Sequence, residues 1–102
     1  MNLDSKELVD KVVEFIQSKK GFDITILDLM KLTAMADYFV ICSASANVQV
    51  KAIADEVDKK LRKEGTKCYH REGYNSLNWV LIDYFDVVVH VFKEDVRDFY
   101  NN

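Results

Sequence analysis

The sequence predicts one α/β domain over residues 1–102, with a mixed five-stranded sheet, helices mainly on one side, and element order α-β-β-α-β-β-β-α. Three observations carry this expectation. Two amphipathic stretches of helical spacing each end at a glycine, Gly21 and Gly65. Runs rich in β-branched and aromatic residues lie between and after them. The last two such runs are too close together for anything but a hairpin.

The first helix is expected over residues 5–19, where Leu8, Val9, Val12, Val13 and Ile16 recur at three-to-four spacing. Asp4 with Glu7 reads as a capping box, and Lys19, Lys20 and Gly21 supply dipole-matched cations and a left-handed stop. Residues 22–30 turn β-rich, and a second run, residues 38–42, is apolar almost throughout, as a central strand would be. After the small residues Ser43 to Ala46, Asn47 is the expected N-cap of a helix reaching Glu64, with Val50, Ile53, Ala54, Val57 and Leu61 as its buried stripe. Residues 67–71 suit a short edge strand, followed by a polar connection around Gly73. Residues 78–84 and 86–92 form the hairpin, and residues 94–100 a closing helix.

Composition narrows the function classes. Seventeen acidic against fourteen basic side chains give a net charge of -3, and no basic tract is present that could release counterions from a phosphate backbone, so free nucleic acid is a poor partner. No apolar run approaches the roughly 20 residues that span a bilayer, and the amino end lacks a signal or transit pattern, so a soluble, unprocessed cytoplasmic chain without membrane contact is expected. Cys42 and Cys68 have no CxxC spacing and no histidine at ligand distance, which reads as two reduced thiols in a reducing compartment with no metal or other cofactor.

The hairpin is the informative segment. With its turn at Phe85 and Asp86, Tyr84 opposes Val87, Ile82 faces Val89, and Val80 faces Val91, an aliphatic face suited to lie under helices. The other face places Trp79 opposite Phe92, Leu81 opposite His90, and Asp83 opposite Val88. An indole, a phenyl ring, an imidazole and a carboxylate together suit a partner interface. The competing reading has Trp79 and Phe92 packed beneath the closing helix and His90 as a structural histidine.

The stretches ADYFVI at residues 36–41, VKAIADEV at 50–57, WVLIDY at 79–84 and DVVVHVF at 86–92, followed by Arg97, Phe99 and Tyr100, resemble the ribosomal silencing factor family, also called Iojap or RsfS. The likeness covers nearly the whole chain, and four such stretches in order make it specific. It implies a nucleotidyltransferase-like fold and a factor that docks on a large-subunit interface protein, the one numbered fourteen. Docking there blocks joining of the small subunit and damps translation under nutrient limitation, without covalent chemistry. The resemblance also implies homodimers away from the ribosome and a monomer upon it. Its characteristic positions are matched by Asp37, Tyr38, Trp79, Asp83, Tyr84, Asp86, His90, Arg97, Phe99 and Tyr100. The expected partner-binding residues are Trp79 as aromatic anchor, Leu81 and Phe92 as its apolar surround, Asp83 as acceptor for a basic side chain, and His90 as a hydrogen-bonding group. Tyr84 and Asp86 flank the turn and are expected to reach the same partner, with bracing of the turn as the other use of Asp86. The chain departs from the family pattern at Phe85, where glycine is usual, in the loop CSASAN, and in ending at Asn102 where many relatives continue into an acidic tail.

The fold kinship makes a nucleotidyltransferase the alternative function, with Asp83 and Asp86 holding a divalent metal. Against it, no Gly-Ser loop followed by an Asp-x-Asp strand occurs, and no Gly-rich phosphate loop, HExxH or Gly-x-Ser-x-Gly. Ser43 and Ser45 before the second helix read as capping residues or as an anion site, and His70 with Arg71 and Glu72 as solvated edge or as an acid-base cluster. No enzymatic activity is expected.

Overall fold

The computed structural model describes residues 3–100, the side chain of Tyr100 excepted; that side chain and Asn102 lie outside the described residues. The chain runs α1 (Ser5–Ser18), β1 (Phe22–Asp28), β2 (Tyr38–Ala44), α2 (Asn47–Lys63), β3 (His70–Glu72), β4 (Trp79–Asp83), β5 (Val87–Lys93) and α3 (Glu94–Tyr100). The order is the expected one. The five strands form one mixed sheet in the sequence β1-β2-β5-β4-β3, with β2 and β5 parallel and every other neighbouring pair antiparallel.

Helix α1 begins at the capping box, with Glu7 N donating to Asp4 Oδ1 at 2.8 Å and Asp4 N to Glu7 Oε1 at 3.4 Å. Its end differs from expectation. The left-handed residue is Lys20, at φ 63°, and Gly21 serves close packing instead, since a Cβ there would lie 2.4 Å from Ile16 Cγ2. Gly65 does take the left-handed stop, at φ 93°, while Thr66 N donates back to Leu61 O at 2.8 Å.

Asn47 is not the N-cap of α2. That position falls on Ala46, which offers no side-chain oxygen. Gln49 compensates from the first turn: its Oε1 accepts from Ser45 N at 2.6 Å, and its Nε2 donates to Lys20 O at 2.9 Å. The start of α2 is thereby tied to the end of α1.

Helices α1 and α2 cover one face of the sheet. Val9, Val12 and Ile16 from α1 and Val50, Ile53, Val57 and Leu61 from α2 meet Val40, Val80, Ile82, Val89 and Val91, all almost wholly shielded from water. Alternation along the strands puts these valines and isoleucines on one side because each element has one apolar face to bury. Burial pushes the Cys42 thiol up to about 12, which makes it an unreactive core group. One buried charge sits in the same layer. Asp58 Oδ2 accepts from Arg62 at 2.9 Å and from Arg71 at 3.0 Å, which pins the short edge strand β3 to α2.

Strand β3 is three residues long and begins later than expected, because only His70–Glu72 pair with β4, His70 opposite Asp83. All three are exposed, and among the described residues His70 meets Glu72, at 2.7 Å. Arg71 turns away from both toward Asp58, so the trio forms no acid-base cluster.

Candidate functional site

The hairpin adopts the register derived from alternation: Trp79 opposite Phe92, Val80 opposite Val91, Leu81 opposite His90, Ile82 opposite Val89 and Asp83 opposite Val88. Across the parallel β2–β5 pair, Phe39, Ile41 and Ser43 stand beside Val88, His90 and Phe92. These side chains share the face that α1 and α2 leave uncovered. Trp79, Leu81, Asp83, His90 and Phe92 are thus brought together on one surface.

Their exposure differs by role. Trp79 is 37% exposed, whereas His90 and Phe92 are each 7% exposed, with Leu81 and Asp83 half-buried. The indole stacks on the Phe92 ring at 4.7 Å between centroids and 22° between planes. Its Nε1 donates to His90 Nδ1 at 3.1 Å. An indole nitrogen can only donate, so Nδ1 is the acceptor and the neutral ring carries its proton on Nε2. Phe39 closes over the imidazole from the other side, 4.7 Å between centroids. Burial lowers the His90 pKa to about 4. The hydrogen bond expected from His90 to a partner is therefore corrected: Nδ1 is spent on Trp79, and Nε2 is buried.

The closing helix is tied to the sheet through Arg97. Arg97 donates to Ser43 Oγ at 2.8 Å, to Thr25 Oγ1 at 3.0 Å and to the Asp23 carbonyl. Asp23 reaches it through a register shift in β1, where its φ of 49° turns the carbonyl out. Of the competing sequence reading, Phe92 is buried as that reading required, whereas Trp79 keeps 37% of its surface exposed.

Tyr84 is a second correction. It follows Ile82 on the helix-covered face, where it is 5% exposed and its hydroxyl finds no partner among the described residues. Even-numbered positions of β4 all point inward, so Tyr84 cannot share a surface with Trp79. Asp86 sits exposed at the turn, and its main chain does the work there, its carbonyl accepting from Asp37 N at 2.7 Å and Tyr38 N at 3.1 Å. Tyr84 and Asp86 border a different recess, of about 220 Å³, together with Leu8 and Gly65. The turn itself tolerates Phe85 at φ 76° because Asp83 Oδ1 accepts from Phe85 N at 2.7 Å and Asp86 N closes on Tyr84 O at 3.0 Å.

Beside the ring cluster lies a mostly apolar groove of about 260 Å³, between the β1–β2 connection and Phe39, Leu81, Asp83 and His90. The connection supplies Leu29, Thr33, Met35 and Ala36 as its second wall. It also exposes Met30, Leu32 and Met35 at 49%, 79% and 84%. The sequence reading assigned no function to these residues. The available signal was three large apolar side chains in a stretch with neither helical nor strand periodicity. Asp58 was missed as well, although its place one turn beyond Ala54 on the α2 stripe marks it as inward-facing. Among the described residues no group of three or more His, Cys, Asp or Glu is arranged to hold a metal ion.

The family model described as ribosomal silencing factor during starvation matches residues 2–101. The chain belongs to the ribosomal silencing factor family. It is 38% identical to ribosomal silencing factor RsfS of Halalkalibacterium halodurans over 97% of this chain and 85% of that protein. It is 36% identical to the Bacillus subtilis protein of the same name, over 97% and 84%. A crystal structure of a Chromobacterium violaceum protein superimposes with a TM-score of 0.93 at 38% identity, covering 97% of this chain and 82% of that one. Membership in the silencing family supports a regulatory role at the ribosome.

Proposed function

We propose that the chain docks through its open sheet face onto the interface protein numbered fourteen of the large ribosomal subunit and so keeps the small subunit from joining. The single observation that supports this reading is the sheet face not covered by α1 and α2, where the partly exposed Trp79 stacks on Phe92 beside an apolar groove, in a member of a silencing family. Trp79 is the anchor, Leu81 and the groove wall its apolar surround, and Asp83 an acceptor for a lysine or arginine. His90 and Phe92 lie beneath Trp79 and support it. The action is steric and non-catalytic, exerted in the cytoplasm by a monomer, and homodimers form only away from the ribosome. Translation falls when nutrients are scarce because large subunits are occupied.

The test is co-sedimentation of the purified protein with separated large subunits at two salt concentrations. Trp79→Ala is expected to lose co-sedimentation while its circular dichroism stays native, since the residue is partly exposed. Binding that survives the substitution unchanged would remove the open face as the docking surface. Strong weakening by salt would assign a larger share to Asp83.

A further inference from the structure

We infer that His90 is a positioning residue: its Nδ1 fixes the orientation in which Trp79 meets the partner, and the fold is less stable than it would be with a plain aromatic ring at that place. This rests on the reading of Trp79 as the docking anchor.

Position 90 lies at the centre of the sheet, 7% exposed, against the Phe39 ring and opposite Leu81. Packing alone would be served there by phenylalanine. The imidazole instead brings two polar nitrogens into an apolar layer. One is bonded to Trp79, and Nε2, which carries the proton, finds no partner among the described residues. Burying an unpaired N–H opposes folding, so the ring needs a compensating use. The Trp79–His90 bond is a pair of neutral groups at an indole that is 37% exposed, so its net contribution to stability is small.

What the bond does supply is a choice of edge. The indole is held flat by stacking on Phe92, but stacking is nearly indifferent to a half-turn about the Cβ–Cγ bond, which exchanges the two edges of the ring. Only the N–H bearing edge can bond Nδ1. The acceptor therefore selects one of two stacked orientations before the partner arrives, and the partner need not order the ring itself.

The chain has a single tryptophan, so one indole N–H resonance reports the orientation without ambiguity. His90→Phe keeps the ring and removes the acceptor, whereas His90→Asn places an amide oxygen near the position of Nδ1. In His90→Phe the indole proton is expected to move upfield and to exchange faster with solvent, and in His90→Asn to return toward the native values. Binding to purified large subunits should weaken about five- to tenfold in His90→Phe, the scale set by ordering one large side chain, and recover in His90→Asn. The urea midpoint of His90→Phe should equal or exceed the native one. Adding His90→Phe to Trp79→Ala should change binding no further.

Native binding by His90→Phe alongside lost binding by Trp79→Ala overturns this inference and leaves the docking reading intact. Native binding by Trp79→Ala overturns the docking reading, and the positioning role with it. An unshifted indole resonance in His90→Phe, a lowered urea midpoint, or failure of that variant to fold makes His90 an ordinary structural histidine and overturns the inference on its own.

Discussion

Four side chains among the described residues carry an unpaired buried polar atom, and two of them, His90 and Tyr84, lie in or beside the central hairpin. The His90 pKa of about 4 lies below the value near 6.5 that an unfolded histidine has, and desolvation is the cause. Between those two values the unfolded chain binds the extra proton and the folded chain does not, so stability falls as the pH drops from about 6.5 to about 4, and below that the dependence from this group ends. The shift corresponds to about 3 kcal/mol. Protonation at Nδ1 also sets a donor against the Trp79 N–H, so tryptophan emission should change as the acid form appears. Urea unfolding at pH 7, 6, 5 and 4 checks the sign, and a His90→Phe variant whose stability declines just as steeply over that range would show the dependence to come from other groups. Burial raises the Tyr84 hydroxyl above the ordinary tyrosine value.

Between elements, the decisive contact is the approach of the β3–β4 connection to the start of β4. Gly73 has φ 92°, and a Cβ there would stand 1.9 Å from the Trp79 carbonyl oxygen, a collision with main chain that no rotamer relieves. Gly73→Ala is expected to cost at least about 2 kcal/mol in urea unfolding and to displace the Trp79 backbone, weakening large-subunit binding in the same variant. A substitution within about 0.5 kcal/mol of native would mean that the connection yields without disturbing β4. The hairpin register was legible in the sequence because, with the turn placed at Phe85 and Asp86, alternation pairs Val80 with Val91 and Ile82 with Val89 on one aliphatic face. The loop after β1 was not, since Met30, Leu32 and Met35 follow no period, and their exposure depends on where the sheet edge falls. Nor was the burial of His90 beneath Phe39, because that contact joins strands 51 positions apart in the chain, β2 and β5, whose parallel pairing no local pattern announces. Asn47 and Gly21 show the same limit at helix ends: each residue type suits a cap, but the neighbouring Gln49 and Lys20 took the role.

At the scale of the whole molecule, the body measures 35 × 31 × 22 Å, so even its thinnest dimension exceeds the reach of direct contacts and the roughly 8 Å screening length of physiological salt. Two ribosomal surfaces separated by such a spacer lose their bonds by distance alone. Inhibition should therefore be stoichiometric: in light-scattering assays of subunit joining, the blocked fraction should equal the fraction of large subunits carrying the protein. Blocking by amounts far below one copy per subunit would instead require turnover and would sink the steric account. The strand order has one more consequence. β5, contributed by residues 87–93, lies in the middle of the sheet between β2 and β4, so nothing joins those two until residues 87–93 have been synthesised. A copy whose β5 is not yet made has no continuous sheet, so the open face takes shape only once that strand is in place.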